Sequence, residues 1–306
     1  MAETKDLTPC PPSPLGKGGR KSESSPLPLG GGVRGGVYQT GSNPYLPIQR
    51  GAPGRIGWRI DYHGEIDSTQ DAARKLAAGG IAEGAVVIAE TQTAGRGRMG
   101  RTWHSPAGVN LYATIILRPP LTIAEAARLS LIAGVAAAEA LETVAPHIVA
   151  LKWPNDVWLA GRKAGGIIAE AVASAEGNLS CVLLGIGLNL NLEAEYLPPE
   201  LRGKATSVRI ATGRNCDRIA VAGSLFSRLE SRYRETVAHG FAAVRPEWER
   251  YSALTGRRVT IMNGGGVRYG GIARGIDGGG ALLLDLGNGR IERIAAGEVS
   301  VEGAYD

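Results

Sequence analysis

The pattern of apolar residues and turns changes sharply along the sequence, and this change limits the folds that the chain can adopt. Over residues 58–251, short apolar runs typical of strands alternate with segments that have a helical apolar period. After residue 256 only short strand-like runs remain, separated by Gly/Asn turns at spacings of 8–12 residues. The second pattern is typical of a small β-barrel or sandwich. We therefore expect a mixed α/β body followed by an all-β module.

Within the body, the patterns predict individual elements. Helices are expected over residues 68–78, 124–144, 217–238 and 241–251. Buried strands are expected over residues 85–90, 109–117, 147–152 and 181–190, with a hairpin formed by residues 157–159 and 164–171.

The N-terminal segment has a different composition. The first 50 residues hold eight of the 17 prolines and nine of the 45 glycines, with no apolar periodicity. Burial therefore cannot offset the entropy of ordering such a segment. Residues 1–54 are predicted to be a disordered Gly/Pro-rich tail. They contain neither the apolar run of a signal peptide nor a helix-turn-helix pattern.

The net charge of +5 does not indicate a nucleic-acid-binding protein. Residues 1–50 contribute +3 of it, so the other 256 residues carry only +2, whereas nucleic-acid-binding domains usually have a dense basic face. Three widely spaced cysteines exclude a disulfide framework and a CxxC-type zinc site. No apolar run reaches the about 18 residues that a membrane span needs. The chain is expected to be cytoplasmic, with no nucleic-acid or membrane partner.

A Gly/Arg-rich segment, ETQTAGRGRMGR over residues 90–101, follows a predicted strand. Its glycines match G-x-G-x-x-G, but a strand and not a helix follows, which excludes a dinucleotide-binding turn. Glycines let backbone N–H groups approach phosphate, and guanidinium groups bind phosphate oxygens in pairs. The segment is either an anion-binding loop that carries Arg96, Arg98 and Arg101 or a solvated turn.

Two more segments place polar side chains beside buried strands. Residues 151–166 (LKWPNDVWLAGRKAGG) present Asn155 and Asp156 in a turn, with Lys163 across a short hairpin. Residues 185–191 (GIGLNLN) place Asn189 in an apolar strand. Taken singly, these residues are more typical of an Asx turn, a solvated charge and a satisfied core amide than of a binding site.

Taken together, the segments resemble the biotin protein ligase family. ETQTAGRGRMGRTWHSP, LKWPNDVWLAGRKAGGIIAE and GIGLNLN occur in this order, and the resemblance extends over residues 60–302. It implies an α/β (α+β) fold, with a mixed β-sheet catalytic domain of the biotin/lipoate ligase type over residues 55–253. An SH3-like C-terminal β-barrel would occupy residues 254–306. Because a Gly/Pro-rich tail stands where some members have a winged helix-turn-helix, the monofunctional type is expected.

The resemblance also implies a reaction in two steps. The biotin carboxylate attacks the α-phosphorus of ATP and forms biotinyl-5′-AMP and pyrophosphate. A lysine of the biotin carboxyl carrier protein of acetyl-CoA carboxylase, or of a related carboxylase, then takes the biotinyl group and releases AMP. Cationic side chains and Mg²⁺ carried by the ATP phosphates would stabilise the charge that develops. No metal site made of protein groups alone is expected, and the oligomeric state, a homodimer included, stays open.

The family's roles can be transferred to matching positions. The biotin site would consist of Ser68, Thr69, Gln70, Gln92, Arg96, Gly97, Arg98 and Lys163. The ATP site would consist of Arg98, Arg101, Trp103, Asn155, Asp156 and Asn189. Lys163 is the strongest catalytic candidate, together with Arg98 and Arg101. The family motif usually reads Ser-Thr-Asn, so Gln70 is a departure from it.

Two other functions compete with this interpretation. A lipoate– or octanoate–protein ligase shares the general fold, and biotin's ureido ring, which needs polar partners, distinguishes the substrates. A biotin-sensing DNA-binding repressor would need a recognition helix and a basic face, and the sequence indicates neither.

Overall fold

The structure is a computed structural model that describes residues 42–262, 268–287 and 289–301. A mixed seven-stranded sheet forms its main part, in the order β1-β2-β3-β7-β6-β5-β4. Strands β1 and β2 are parallel, and every other neighbouring pair is antiparallel. The strands are β1 (Ile60–Ile66), β2 (Val86–Gln92), β3 (Leu111–Leu117), β4 (Val149–Lys152), β5 (Asp156–Leu159), β6 (Arg162–Ala173) and β7 (Leu179–Leu188).

Helices cover both faces of this sheet, because its central strands are apolar on both sides. Val87, Ile116 and Leu183 face helix α1, whereas Ile88 and Leu184 belong to the larger core on the opposite face. That core includes ten of the 14 residues of α2, and every residue of this helix except Arg128 is buried. The helices are α1 (Thr69–Ala78), α2 (Arg128–Leu141), α3 (Val208–Thr212), α4 (Arg218–His239) and α5 (Arg245–Tyr251).

The C-terminal module is a five-stranded antiparallel sheet, in the order β11-β10-β9-β8-β12. It comprises β8 (Arg258–Met262), β9 (Arg268–Ile276), β10 (Leu282–Asp285), β11 (Ile291–Ile294) and β12 (Glu298–Val301). The indole Nε1 of Trp153 donates to Gly280 O at 3.0 Å and so joins the β4–β5 turn to this module. The α/β class and the separate all-β module agree with the fold predicted from the sequence.

The predicted helices and strands of the body are confirmed, with ends that shift by a few residues. Strand β1, which the sequence analysis did not predict, is an edge strand with the sequence IDYHGEI, which lacks a clear alternation of apolar and polar residues. It is held by its parallel register with β2, a contact between distant parts of the chain. A local pattern gives little indication of such a strand.

The predicted disordered tail, residues 1–54, lies outside the described residues as far as residue 41. The described end of that segment is packed against the body, so the prediction was wrong for this part. Tyr45 is only 1% exposed, and Ile48 lies over Gly223 of α4, where a Cβ atom would stand 3.0 Å from Ile48 Cγ2. The reason is that Tyr45 is part of the main apolar core and Ile48 packs against that core where Gly223 has no side chain.

Candidate functional site

A cavity of about 410 Å³ opens at one end of the seven-stranded sheet. The C-terminal ends of β2 and β7 and the start of β6 meet at this end, because β6 and β7 are antiparallel neighbours. The start of α1, the loop after β2 and the β4–β5 turn complete the wall. All the site residues predicted from the sequence line this one cavity: Ser68, Thr69, Gln70, Gln92, Arg96, Gly97, Arg98, Arg101, Trp103, Asn155, Asp156, Lys163 and Asn189.

At the inner end of the cavity, the first turn of α1 contacts the end of β2. The backbone N–H and the hydroxyl of Thr69 both donate to Gln92 Oε1, at 2.9 and 3.1 Å. Ser68 is 1% exposed, and its Oγ is buried with no hydrogen-bond partner among the described residues. An unsatisfied buried hydroxyl costs free energy, so the neighbouring Ser68 and Thr69 side chains are suited to bind a polar group of a ligand.

Gln70 lies beside this pair and is 5% exposed. Its Nε2 donates to Leu183 O over a long 3.5 Å, and its Oε1 has no partner among the described residues. A Cβ atom on Gly185 would stand 3.0 Å from Gln70 Nε2. The longer amide at this position is therefore accommodated by a glycine on the neighbouring strand β7.

The Gly/Arg-rich loop over residues 93–102 folds back on itself. Trp103 N donates to Gly95 O at 2.9 Å, and Arg96 and Thr102 form an isolated antiparallel bridge. A Cβ atom on Gly95 would stand 2.7 Å from Trp103 O, so this close approach requires glycine. Met99, at φ 56° and 66% exposed, lies at the outer end of the loop.

Each arginine of the loop contacts a different part of the molecule. Arg96 pairs with Asp71 of α1 at 2.6 Å, and Arg98 Nη1 donates to Asn155 Oδ1 at 3.0 Å. Arg101 pairs with Glu298 of β12, in the C-terminal module. The loop thus carries three guanidinium groups to the cavity and is anchored to α1, the β4–β5 turn and β12.

Lys163 and Asp156 form an ion pair at the cavity wall. Lys163 Nζ lies 2.6 Å from Asp156 Oδ1, and the lysine side chain is 34% exposed. The same ammonium lies 5.6 Å from the ring centroid of Trp103. Lys163 is held in place by backbone contacts, since its N–H donates to Lys204 O at 3.0 Å. A lysine fixed in this way can approach an anionic ligand without a large rearrangement.

The indole of Trp103 lies flat on the sheet. Cβ atoms on Gly166 and Gly187 would stand 3.0 Å from Trp103 Cζ3 and 2.7 Å from its Cε2. Its Nε1 is buried with no partner among the described residues. The two glycines therefore make room for an aromatic surface that forms part of the cavity wall.

Asn189 also lies on this wall, but its amide N–H₂ has a protein partner. Asn189 Nδ2 donates to Thr206 O at 3.0 Å, and the residue is 8% exposed. Thr206 N in turn donates to Lys163 O at 2.8 Å. Of the two sequence interpretations, the satisfied core amide describes this N–H₂ group, and Asn189 indirectly connects β7 with Lys163.

Other residues of the cavity wall were missed by the sequence analysis. Lys152 comes immediately before the Trp-Pro-Asn-Asp turn, so its position beside a polar turn was an available signal. It lies 5.2 Å from the ring centroid of Trp158, and burial, partly opposed by Asp156, lowers the pKa of its ammonium. Glu298 lies far away in sequence and carried no local signal. Both charges add to the electrostatics around Lys163.

The carboxylates of the cavity wall determine how the expected Mg²⁺ could be held. In the described ranges, no group of three or more His, Cys, Asp and Glu side chains is arranged to hold a metal ion. Among the residues that line the cavity, the carboxylates are Asp156 and Glu298, and both are paired with cations. This donor set fits a metal that takes most of its ligands from phosphate oxygens and water.

The relatives of the chain identify its family. Residues 64–189 match the biotin/lipoate A/B protein ligase family, and residues 255–301 match the biotin protein ligase C-terminal domain. The biotin–[acetyl-CoA-carboxylase] ligase of Paracoccus denitrificans is 37% identical over 242 residues, which cover 76% of this chain and 96% of the relative. The chain belongs to the biotin protein ligase family.

Other members of the biotin protein ligase family support the same relationship. The bifunctional ligase/repressor BirA of Bacillus subtilis is 37% identical over 246 residues, which cover 80% of this chain and 75% of the relative. The biotin protein ligase of Aquifex aeolicus, solved in complex with biotin and ATP, superposes with a TM-score of 0.68. It is 28% identical and covers 79% of this chain and 98% of that one.

A helix that crosses a membrane must be both long and apolar. Among the described residues, no helix meets both requirements.

Proposed function

We propose that this chain is an ATP-dependent ligase that activates biotin as biotinyl-5′-AMP and transfers it to a lysine of a biotin carboxyl carrier protein. The observation that carries this proposal is the single cavity in which a polar inner end and a cationic outer wall meet. A carboxylic acid with a polar ring fits the inner end. A triphosphate fits the wall formed by the arginine loop and Lys163.

In the biotin half of the site, Ser68, Thr69 and Gln92 would bind the ureido ring. The hydrogen bonds between Thr69 and Gln92 and the buried, unpartnered Ser68 hydroxyl support this role. Gln70, which replaces the family's usual Asn, would close the inner end of the pocket. The remaining biotin contacts would come from Arg96, Gly97, Arg98 and Lys163.

In the ATP half, Lys163 would contact both the biotin carboxylate and the α-phosphate. The attack brings a carboxylate onto a polyanion, so the site must reduce repulsion and stabilise negative charge on the phosphoryl oxygens. Lys163 provides a positioned charge, and its partner Asp156 keeps it in place until an anion arrives. Trp103 would present its aromatic face to adenine, with Asn155 and Asn189 beside it, and Arg101 would face the phosphates.

The Gly/Arg loop would close over the acyl-adenylate. Arg98 already reaches across the cavity to Asn155, at 3.0 Å. A mixed anhydride is hydrolysed readily, so excluding water retains the intermediate until the acceptor lysine enters. We propose that Arg98 and Arg101 act with Lys163 in the chemical steps.

The remaining partners follow from this function. Mg²⁺ on the ATP phosphates would supply further neutralisation of charge. Among the described residues that line the cavity, Asp156 and Glu298 carry the carboxylates that would assist in holding it. We propose residues 55–253 as the catalytic domain and residues 254–306 as an SH3-like module. We also propose a cytoplasmic location, which fits the free thiols of Cys181 and Cys216. A homodimer would be compatible with the position of β1 at the edge of the sheet.

A lipoate– or octanoate–protein ligase is the competing function within the same fold. The buried polar groups at the inner end favour biotin, because an aliphatic chain would leave them without partners. DNA binding is proposed to be absent, although the Bacillus subtilis relative is named a ligase/repressor. A filter-binding assay with duplex DNA tests this point directly.

The test of the proposed function is transfer of biotin to a purified carrier domain. The full chain is incubated with biotin, MgATP and the carrier domain, and the mass of the carrier is measured. We expect a mass increase of one biotinyl group, and no increase on a carrier whose acceptor lysine is changed to arginine. A carrier mass that stays unchanged with biotin but rises with lipoate would overturn the assignment of substrate.

A further inference from the structure

A chain of hydrogen bonds runs beneath the inner end of the cavity. Thr114 Oγ1 lies 2.9 Å from Thr69 Oγ1, and the Thr69 hydroxyl lies 3.1 Å from Gln92 Oε1. Gln92 Nε2 donates to Ser105 Oγ at 3.2 Å, and the Ser105 hydroxyl donates to Trp103 O at 3.1 Å. The chain therefore joins β3, α1 and β2 to the base of the Gly/Arg loop.

The donor and the acceptor of each hydrogen bond in this chain can be assigned. The backbone N–H of Thr69 can only donate, so the amide group of Gln92 must turn its oxygen towards Thr69. Gln92 Nε2 then faces Ser105 and can only donate to it. The one proton of Ser105 goes to Trp103 O, which can only accept.

The same reasoning fixes the Thr69 hydroxyl. Gln92 Oε1 has no proton, so Thr69 Oγ1 donates to it, and Thr114 Oγ1 must donate to Thr69. The only proton of Thr69 is thus committed inside the protein. A hydroxyl has two lone pairs, and one remains after the bond from Thr114. Towards the cavity, which Thr69 lines, its hydroxyl can only accept a hydrogen bond.

We propose that Ser105 is a positioning residue that holds the Gln92 side chain where its Oε1 takes the Thr69 hydroxyl proton, which leaves this hydroxyl to accept a hydrogen bond from the ligand. This inference rests on the proposed function and specifies the chemistry of its substrate. An acceptor-only hydroxyl selects a ligand that carries an N–H group at this depth. Beside it, the unpartnered Ser68 hydroxyl has a proton to donate to a ligand oxygen.

A cyclic urea satisfies both hydroxyls, because its N–H groups flank a carbonyl oxygen. Octanoate and lipoate have neither group at the end that would reach this depth, so they leave the arrangement unsatisfied. Ser105 is 7% exposed and does not belong to the cavity wall, so it acts through Gln92 and not by contact. Gly95 makes this arrangement possible, since a Cβ atom there would stand 2.8 Å from Ser105 Oγ.

The experiment compares biotin with its two cyclic carbamates, in which one or the other ring N–H is replaced by oxygen. Affinities are measured by calorimetry on the full chain, without ATP. We expect the wild-type chain to bind at least one carbamate roughly tenfold or more weakly than biotin. In Ser105→Ala, the affinity for biotin should fall about tenfold. The ratio of the affinity for biotin to that for the same carbamate should fall to about threefold or less.

Controls separate a positioning role from a general loss of structure. Ser130→Ala removes another buried serine hydroxyl that donates to a backbone carbonyl, Ala127 O at 2.7 Å, but on helix α2 and outside the cavity wall. It should leave both affinities unchanged. In a Gln92→Met background, which keeps the side-chain length, Ser105→Ala should cause no further loss of biotin affinity.

The outcomes are distinct. If Ser105→Ala lowers the affinities for biotin and both carbamates by the same factor, or leaves all three affinities unchanged, the positioning role is wrong. An additional loss in the Gln92→Met background would also overturn it, because Ser105 would then act independently of Gln92. A wild-type chain that binds no biotin at all would instead overturn the proposed function.

Discussion

Lys163 Nζ lies 2.6 Å from Asp156 Oδ1, across the narrow hairpin that joins β5 to β6. The carboxylate holds the ammonium beside the indole of Trp103 and at the centre of the cationic wall. An ammonium that is about one-third exposed and paired with one carboxylate is bound only moderately, so an incoming phosphate can replace its partner. This relationship makes Lys163 a positioned charge and not a rigid structural one.

Replacing this charge should affect chemistry and leave the fold intact. We expect Lys163→Ala to lower the rate of adenylate formation roughly 100-fold or more, because a positioned charge at the reacting phosphoryl group is removed. Its thermal unfolding should change little, since an ion pair that is partly exposed to solvent contributes about 1 kcal/mol. Single-turnover formation of biotinyl-5′-AMP measures the first effect. Lys75→Ala, at an exposed position of α1, is the matched control, and an unimpaired Lys163→Ala would remove this residue from the mechanism.

The hydrogen bond between Arg98 and Asn155 joins the Gly/Arg loop to the β4–β5 turn. Arg98→Gly removes this 3.0 Å bond and the guanidinium itself. We expect roughly tenfold faster release of the adenylate into solution, as a charge-assisted hydrogen bond contributes about 1.5–3 kcal/mol. Release is measured by trapping free biotinyl-5′-AMP in the absence of carrier protein. Asn155→Ala should produce the same effect in weaker form, and an unchanged release rate in both variants would show that the loop does not retain the intermediate.

The contact between Gly187 and Trp103 can be tested by adding one methyl group. In Gly187→Ala the new Cβ would stand 2.7 Å from the indole Cε2, so the ring must move. We expect the KM for ATP to rise about tenfold, corresponding to about 1.4 kcal/mol, with a smaller change in the KM for biotin. Gly64→Ala on β1 is the control, because a Cβ atom there has no heavy-atom neighbour within 4 Å. Equal changes in both KM values would indicate a general disturbance of the site.

Lys152 is a charge whose burial destabilises the fold. Burial lowers the pKa of its ammonium below the ordinary 10.5, so the folded chain binds this proton less tightly than the unfolded chain. The penalty is complete below the lowered pKa and disappears as the pH rises through the window between that pKa and 10.5. We expect Lys152→Met to leave the Tm at pH 7 unchanged or to raise it by roughly 2–4 °C, about 1 kcal/mol. Adenylation should decrease, because the cationic wall loses a charge.

Two measurements on the same preparation check this prediction: scanning calorimetry gives the Tm, and the rate of ATP–pyrophosphate exchange with biotin gives the rate of adenylation. A lowered Tm would mean that other contacts of the Lys152 side chain outweigh its desolvation. An unchanged adenylation rate would mean that this ammonium does not act on the phosphates. The two readouts are independent, because one concerns the folded chain alone and the other requires ATP.

Much of the site was predictable because its residues lie in local motifs. The Gly/Arg loop, the Trp-Pro-Asn-Asp turn and Lys163 each follow or precede an apolar strand, and the sheet brings these strand ends together. Thr114 and Ser105 were not predictable in this way. Thr114 lies within an apolar strand, and its contact with Thr69 joins residues 45 positions apart.

The C-terminal contribution was also beyond the reach of sequence patterns. The all-β texture predicted a separate module but not its contact with the site. Glu298 meets Arg101 only because β12 lies beside the Gly/Arg loop in three dimensions. Likewise, the Gly/Pro-rich composition of residues 1–54 predicted a disordered tail. It gave no indication that the isolated aromatic residue Tyr45 is almost completely buried.

The most direct measurement is ATP–pyrophosphate exchange by the purified full chain, with biotin, lipoate or octanoate as the carboxylate and Mg²⁺ present. The exchange reports adenylation alone, without the carrier protein. We expect exchange with biotin and none above background with lipoate or octanoate, because only biotin satisfies the polar inner end of the cavity. Exchange with lipoate or octanoate in place of biotin, or no exchange from a correctly folded chain, would contradict the proposed function.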